Sequence, residues 1–178
     1  STADNGNNTS PTPGSLRAAV KAANAAGVPY LIRFAIPGAC PQMISLTAPM
    51  LDIVGDVRID ATTQAGWVEN SSYGRMDGTL CLFINGNASA THAFRVPAGA
   101  SSARLTVQGL IMASFADAAI RLEDGSGHRI SGNQFGAVPF TSPNGAAVRV
   151  TGASGGAIIG GFADFGAVTV VAGAADAG

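Results

Sequence analysis

The sequence predicts an all-β solenoid that begins with one capping α-helix, and three observations predict it. The run Thr106-Val107-Gln108-Gly109-Leu110-Ile111-Met112 is answered by Arg129-Ile130-Ser131-Gly132-Asn133-Gln134-Phe135, 23 residues later. A second series, Ala119-Ile120-Arg121-Leu122, returns as Ala147-Val148-Arg149-Val150 and again as Ala167-Val168-Thr169-Val170. Short apolar runs that recur in this way pack as stacked coils, each turn burying its apolar side against the next. The third observation is composition. Charged residues are 12% of the chain against the usual ~25%, and 24 of the 178 residues are glycine, which suits closely spaced turns.

Residues 1–14, STADNGNNTSPTPG, are polar with two prolines and no apolar period, so an extended or mobile lead-in that packs little is expected. Residues 15–178 are expected to form one domain, with a helical cap over 15–26 and coils from about residue 30. Ser15 can accept the orphan amide hydrogens at a helix start, and Gly27 can take the left-handed conformation after its last turn. Leu16, Val20 and Ala23 then share one face. A helix placed there covers the apolar end and free strand edge of the first coil.

Strands are predicted from Tyr30 to Ile36, bounded by prolines, and from Met43 to Leu46. Val54 to Ala61 alternates, with Val57 and Ile59 on one side and Arg58 and Asp60 on the other. Gly66 to Thr79 holds Trp67, Tyr73 and Met76 without periodicity, and is the longest excursion and the first place to look for contacts. Strands resume from Leu80 to Ile84 and from Ala93 to Val96, and then the recurrent stretch begins. Within it Val107, Ile130 and Ile159 form an expected inward stack, and Asn24 and Asn133 are expected to stack at turns inside the coils. About six coils follow, roughly 30 Å long at the usual strand spacing. After Val168-Thr169-Val170-Val171 the chain is rich in Ala and Gly without a recognisable cap. An open last coil is therefore expected, from truncation, covered by self-association or continued by further coils.

A net charge of −1 without a basic run offers no footprint for nucleic acid or an anionic membrane. No stretch of eighteen apolar residues occurs, so no membrane span is expected, and the first residues lack the charged and apolar regions of a signal peptide, as in a processed chain. One lysine, Lys21, against nine arginines fits a GC-rich bacterial source. Cys40 and Cys81 are too few for a metal site, leaving a disulfide or two buried thiols. The disulfide is preferred, because in an exported solenoid closing a loop of this size contributes ~3–4 kcal/mol in the chain-entropy model.

Three segments carry a family resemblance: Gly14-Ser15-Leu16-Arg17-Ala18-Ala19-Val20 with Ala22-Ala23-Asn24, Ile32-Arg33-Phe34-Ala35-Ile36-Pro37-Gly38, and Val57-Arg58-Ile59-Asp60-Ala61-Thr62-Thr63-Gln64-Ala65-Gly66. Together they resemble the opening region of secreted bacterial right-handed parallel β-helix proteins of the pectate-lyase-like superfamily. Ile130-Ser131-Gly132-Asn133 and Ile158-Ile159-Gly160-Gly161 are similar to their repeating coils. Gly14 stands where those proteins often carry a cysteine, so a disulfide anchoring the helix there is absent. The resemblance implies a right-handed parallel β-helix and a secreted or cell-surface location. It leaves activity open, since that superfamily holds pectin-cleaving enzymes, phage tailspikes, autotransporter passengers and adhesins.

A β-helix enzyme acting on acidic polysaccharide needs several carboxylates on one outer face. Here the supply is thin: Asp52, Asp56 and Asp60 near one strand, Glu123 and Asp124 at a turn, Asp117 and Asp164 in alanine-flanked loops. Asp60 is the single weak catalytic candidate, against the plainer role of a strand-end residue bonding to Thr62 or Thr63. His92 and His128 are read as surface or turn residues without a catalytic role, and no Gly-x-Ser-x-Gly elbow occurs. The glycines of Gly152–Gly160 are read as turns, since the lysine of a phosphate loop is missing. No metal or other cofactor is expected.

Arg121 and Arg149 are the candidate ligand-binding pair. They occupy equivalent outward slots on adjacent coils, where like charges repel unless a carboxylate, an aromatic face or a ligand relieves them. Arg58 and Arg95 share the local pattern, and the four on one face would form a basic stripe for an anionic glycan or cell-surface polymer. The alternative is plain solvation of the outer side. The expected function is a structural or adhesive scaffold without catalysis, with a polysaccharide lyase or hydrolase (or its N-terminal fragment) and a tailspike-like glycan-binding module as the other readings.

Overall fold

The computed structural model describes residues 1–71, 77–136, 144–160 and 170–172. These are mostly strands in parallel sheets, with one α-helix, α1 (Leu16–Ala26). The helix starts where its cap predicts. Ser15 Oγ accepts from the Ala18 amide at 3.1 Å, and Gly27 closes the last turn at φ 65°. Leu16, Val20 and Ala23 are buried as expected, and so is Arg17.

Arg17 overturns the expectation that residues 1–14 pack little. Its guanidinium is fully buried, with Nε 2.6 Å from Asp4 Oδ1, Nη2 3.0 Å from Asp4 Oδ2, and further bonds to the Ala48 and Pro49 carbonyls and to Asn8. Asp4 in turn accepts from the Thr47 amide at 2.9 Å. A buried cation has to be paired, and that requirement lays the polar lead-in along the helix and the 47–49 segment. Burial pushes the Asp4 carboxyl up, but hydrogen bonds from Arg17 and the Thr47 amide outweigh it and hold the group below its usual value.

In chain order the strands are β1 (Tyr30–Arg33), β2 (Gln42–Ser45), β3 (Asp56–Asp60), β4 (Leu82–Asn85), β5 (Phe94–Val96), β6 (Arg104–Gln108) and β7 (Leu110–Ala113). They continue as β8 (Ala118–Leu122), β9 (Arg129–Ser131), β10 (Gln134–Phe135), β11 (Ala146–Val150), β12 (Ile158–Ile159) and β13 (Val170–Ala172). A first sheet has the order β1-β3-β6-β9-β12, a second β10-β7-β4-β2 and a third β13-β11-β8-β5. Every strand pairing is parallel. From β3 to β11 the chain visits first, second and third sheet in that order, three times over. Among the described residues the longest sheet holds five strands, one fewer than the expected six layers.

Register stacks like on like. In the first sheet Ile32, Ile59, Val107, Ile130 and Ile159 lie in one row, which contains the inward stack expected from sequence. Ile44, Ile84, Met112 and Phe135 form a row in the second sheet, and Phe94, Ile120 and Val148 in the third. The rows meet in one apolar cluster. Truncating a fully buried member such as Ile59 removes roughly 2–5 kcal/mol. The third member of the second sequence series is corrected: Val148 pairs with Val170, two residues beyond the alignment with Val168. A two-residue slip keeps the alternation of faces, so periodicity alone could not choose between the registers. Residues 167–169 lie outside the described residues, as does most of the chain beyond Gly160, on which the open-end expectation rests.

Cys40 and Cys81 are joined in a disulfide just before β2 and β4, which pair with each other. At a sequence separation of 41 the chain-entropy model assigns it about 4 kcal/mol. Of the long excursion, Tyr73 and Met76 lie outside the described residues, while Val68 and Thr79 close its base with an antiparallel bridge. Asn133 sits where the turn reading put it. It is fully buried, accepting from the Leu110 amide at 3.0 Å and donating to the Val107 and Ser131 carbonyls. Asn144 does the same for Phe115 and Met112 without having been singled out. Asn24 instead ties α1 to the Asp52 carbonyl and the Val54 amide. No helix of the described residues is long and apolar enough to cross a membrane.

Candidate functional site

Strands β5, β8 and β11 alternate. Phe94, Val96, Ile120, Leu122 and Val148 turn to the core, leaving the residue between on the other face. Register then aligns Arg95, Arg121 and Arg149 on consecutive strands, the last two as the sequence predicted. At ~4.8 Å between strands three guanidinium groups repel, and carboxylates relieve them. Glu123 Oε2 lies 2.8 Å from Arg95 Nη2 and its Oε1 bonds Arg121 Nε. Asp117 bridges the next step, 2.8 Å from Arg121 Nη1 and 2.9 Å from Arg149 Nε, the latter a charge contact without a directed hydrogen bond. Asp52 stands 3.6 Å from Arg95 at the other end.

Glu123 is the centre of this row, with only 9% of its side chain exposed. Burial raises its carboxyl, but Arg95, the Ala98 amide and Arg121 together take it down to about 2. It is ionised near neutral pH and has no proton to give as a general acid there. The four-arginine stripe is corrected, because Arg58 lies on β3 in the first sheet, away from Arg95, Arg121 and Arg149.

Asp60 is not an outward, available carboxylate. The residue is 7% exposed. Its Oδ1 accepts from the Thr62 amide at 3.2 Å, the Thr62 hydroxyl at 2.6 Å and Gln108 Nε2 at 2.8 Å, and its Oδ2 takes Arg58 at 3.1 Å. Burial raises its carboxyl, but these partners outweigh it and hold the group ionised below its usual value. The strand-end role weighed against catalysis is the one the geometry supplies.

His128 corrects another expectation. It is fully buried, with Nδ1 accepting from the Leu105 amide at 3.0 Å and Nε2 2.9 Å from the Asp124 carbonyl. Those partners assign the proton to Nε2. Burial lowers its pKa, so the ring is neutral and structural. His92 bonds the Thr91 hydroxyl beside the arginine row, and burial lowers it too. Gly152–Gly160 runs as turns and β12, and Asp164 lies outside the described residues. Among the described residues no group of three or more His, Cys, Asp or Glu is placed to hold a metal ion.

Sequence reasoning anticipated the slots of Arg121 and Arg149 but not their partners, nor the Asp4–Arg17 pair. One signal for that pair was present, since Arg17 lies three residues before Val20 on the face that packs inward. The sequence matches no family model, no curated protein and no solved structure.

Proposed function

We propose that the chain winds as a right-handed parallel β-helix of the pectate-lyase-like kind and serves, exported to or beyond a bacterial cell surface, as a structural or adhesive scaffold without catalysis. The repeated visiting order of three parallel sheets and the stacked row of isoleucines and Val107 support the solenoid. The Cys40–Cys81 disulfide supports an oxidising compartment. The observation that carries the non-catalytic reading is the matched arginine row. Asp52, Asp117 and Glu123 are each spent on an arginine, and Asp60 on Thr62, Gln108 and Arg58. An anionic polymer would have to displace Asp117 or Glu123 to reach Arg121 and Arg149, so adhesion to acidic glycans is expected to be weak and salt-sensitive.

Incubation with a panel of uronic-acid polysaccharides, with and without calcium, tests this. No cleavage product is expected. Product formation abolished by Asp60→Asn would overturn the scaffold reading in favour of a lyase or hydrolase. Sedimentation as a tight trimer would move the reading to a tailspike-like module.

A further inference from the structure

Between the base of the 66–79 excursion and the first sheet lies an open groove of about 260 Å³, lined among the described residues by Thr62, Trp67, Glu69, Gln108, Ser131 and the glycines of the β6–β7 and β9–β10 turns, with Asn70 at its side. We propose that this groove binds one ring of a neutral, hydroxyl-rich saccharide. None of the roles described above uses it.

The donor and acceptor balance of the lining carries the inference. Asp60, beneath the groove, accepts one of the two Gln108 Nε2 hydrogens at 2.8 Å and the Thr62 hydroxyl hydrogen at 2.6 Å. Both side chains are thereby fixed; Gln108 keeps its Oε1 acceptor and its second Nε2 hydrogen, and Thr62 Oγ1 keeps its lone pairs. Ser131 adds a hydroxyl and Glu69 an exposed carboxylate. Such a surface suits a ligand whose groups both donate and accept hydrogen bonds, as hydroxyls do. It does not favour an anion, because no cation lines it among the described residues, Glu69 is its one lining carboxylate, and the Asp60 beneath is matched by Arg58. A free ammonium is the weaker candidate, since the desolvated carboxylate is already engaged by four hydrogen bonds and Glu69 is open to water. Hydroxyl groups on a neutral ring remain.

Trp67 supplies the apolar half. Its indole is partly exposed at the groove, a surface on which the C–H face of a pyranose can lie, and its Nε1 is buried without a hydrogen-bond partner among the described residues. Gly109, at φ 79°, keeps the floor low, since a Cβ there would come within 2.8 Å of the Thr62 amide nitrogen. The volume falls just below the ~300–1,000 Å³ of pockets that enclose a drug-sized ligand. One ring therefore enters and the rest of an oligosaccharide stays outside, as adhesion to a polymer requires.

Trp67 is the single tryptophan of the chain, so its emission reports the site directly. Maltohexaose, cellohexaose, xylohexaose and a β-galactohexaose are titrated into the full chain, with hexagalacturonate and a chitosan hexamer as charged counterparts. The expected result is a saturable emission change with at least one neutral hexamer and at least ~10-fold weaker binding of both charged ones. By calorimetry, Trp67→Ala and Gln108→Leu should each weaken that binding by ~10-fold or more while circular dichroism stays unchanged. If Gln108→Leu does not fold, Trp67→Ala decides. The proposal is overturned if no neutral hexamer alters the emission, if a charged hexamer binds tightest, or if folded Trp67→Ala binds as the parent does. It rests on the non-catalytic reading only in that the sugar is held and not cut. Cleavage of a bound hexamer refutes that reading and leaves the groove standing, whereas absence of binding refutes the groove alone.

Discussion

Glu123→Gln removes the carboxylate that Arg95 and Arg121 share and leaves their guanidinium groups on adjacent strands with only Asp52 and Asp117 to relieve them. The folded chain holds this carboxyl at about 2, against 4.5 when it is free. That difference corresponds to roughly 3 kcal/mol of stability at neutral pH. The two arginines are about one-third exposed, and solvent screening brings the expected loss to ~1–2 kcal/mol. In a urea melt this moves the midpoint down by about 0.5 M or more. The pH dependence makes the test specific. A carboxyl with a lowered folded pKa contributes its full stability above 4.5 and loses it as pH falls toward about 2. The parent chain should therefore lose this stability on acidification and the variant should not, so the gap between their midpoints closes. Equal midpoints at neutral pH, or a gap that widens on acidification, would refute the reasoning.

Two further predictions follow from buried polar groups. Asp4→Ala leaves the Arg17 guanidinium, 0% exposed, without its counter-ion, and is expected to cost about 3–5 kcal/mol and lower the thermal midpoint by on the order of 10 °C. An unchanged midpoint would mean that the lead-in is dispensable. His128→Phe strands the Leu105 amide and should cost about 1–3 kcal/mol. Because burial lowers the His128 pKa from 6.5, the parent has this contribution in full above 6.5 and loses it as pH falls through the folded value. The variant's stability curve should be flatter below 6.5, and parallel curves in urea melts across that range would count against the structural role of the ring.

Much of the frame was legible because it depends on neighbours in sequence. Ser15 and Gly27 bracket α1 through bonds and a backbone conformation confined to the helix itself. Val107, Ile130 and Arg121 could be assigned faces because strand side chains alternate with period two. The same rule failed at Val170, where a two-residue shift leaves the alternation intact. Strand ends were overestimated as well. Phe34 and Ile36 lie outside β1, and their amides are met by the Thr63 hydroxyl and the Gln64 side chain instead of a ladder.

The sequence by itself determined a β-rich chain with a helical cap, an inward row through Val107 and Ile130, and outward slots for Arg121 and Arg149, all consequences of periodicity and capping within short windows. Only the tertiary structure decided what meets those side chains. Asp117 and Glu123 come to the arginine row from strand ends and turns, and Asp4 reaches Arg17 across the lead-in. Asp60 is turned from a free carboxylate into the support beneath Thr62 and Gln108. Which charge neutralises which depends on how far each loop carries the chain before the next strand stacks. That length is not encoded in the period of the strands, so the frame was readable and the chemistry on its surface was not.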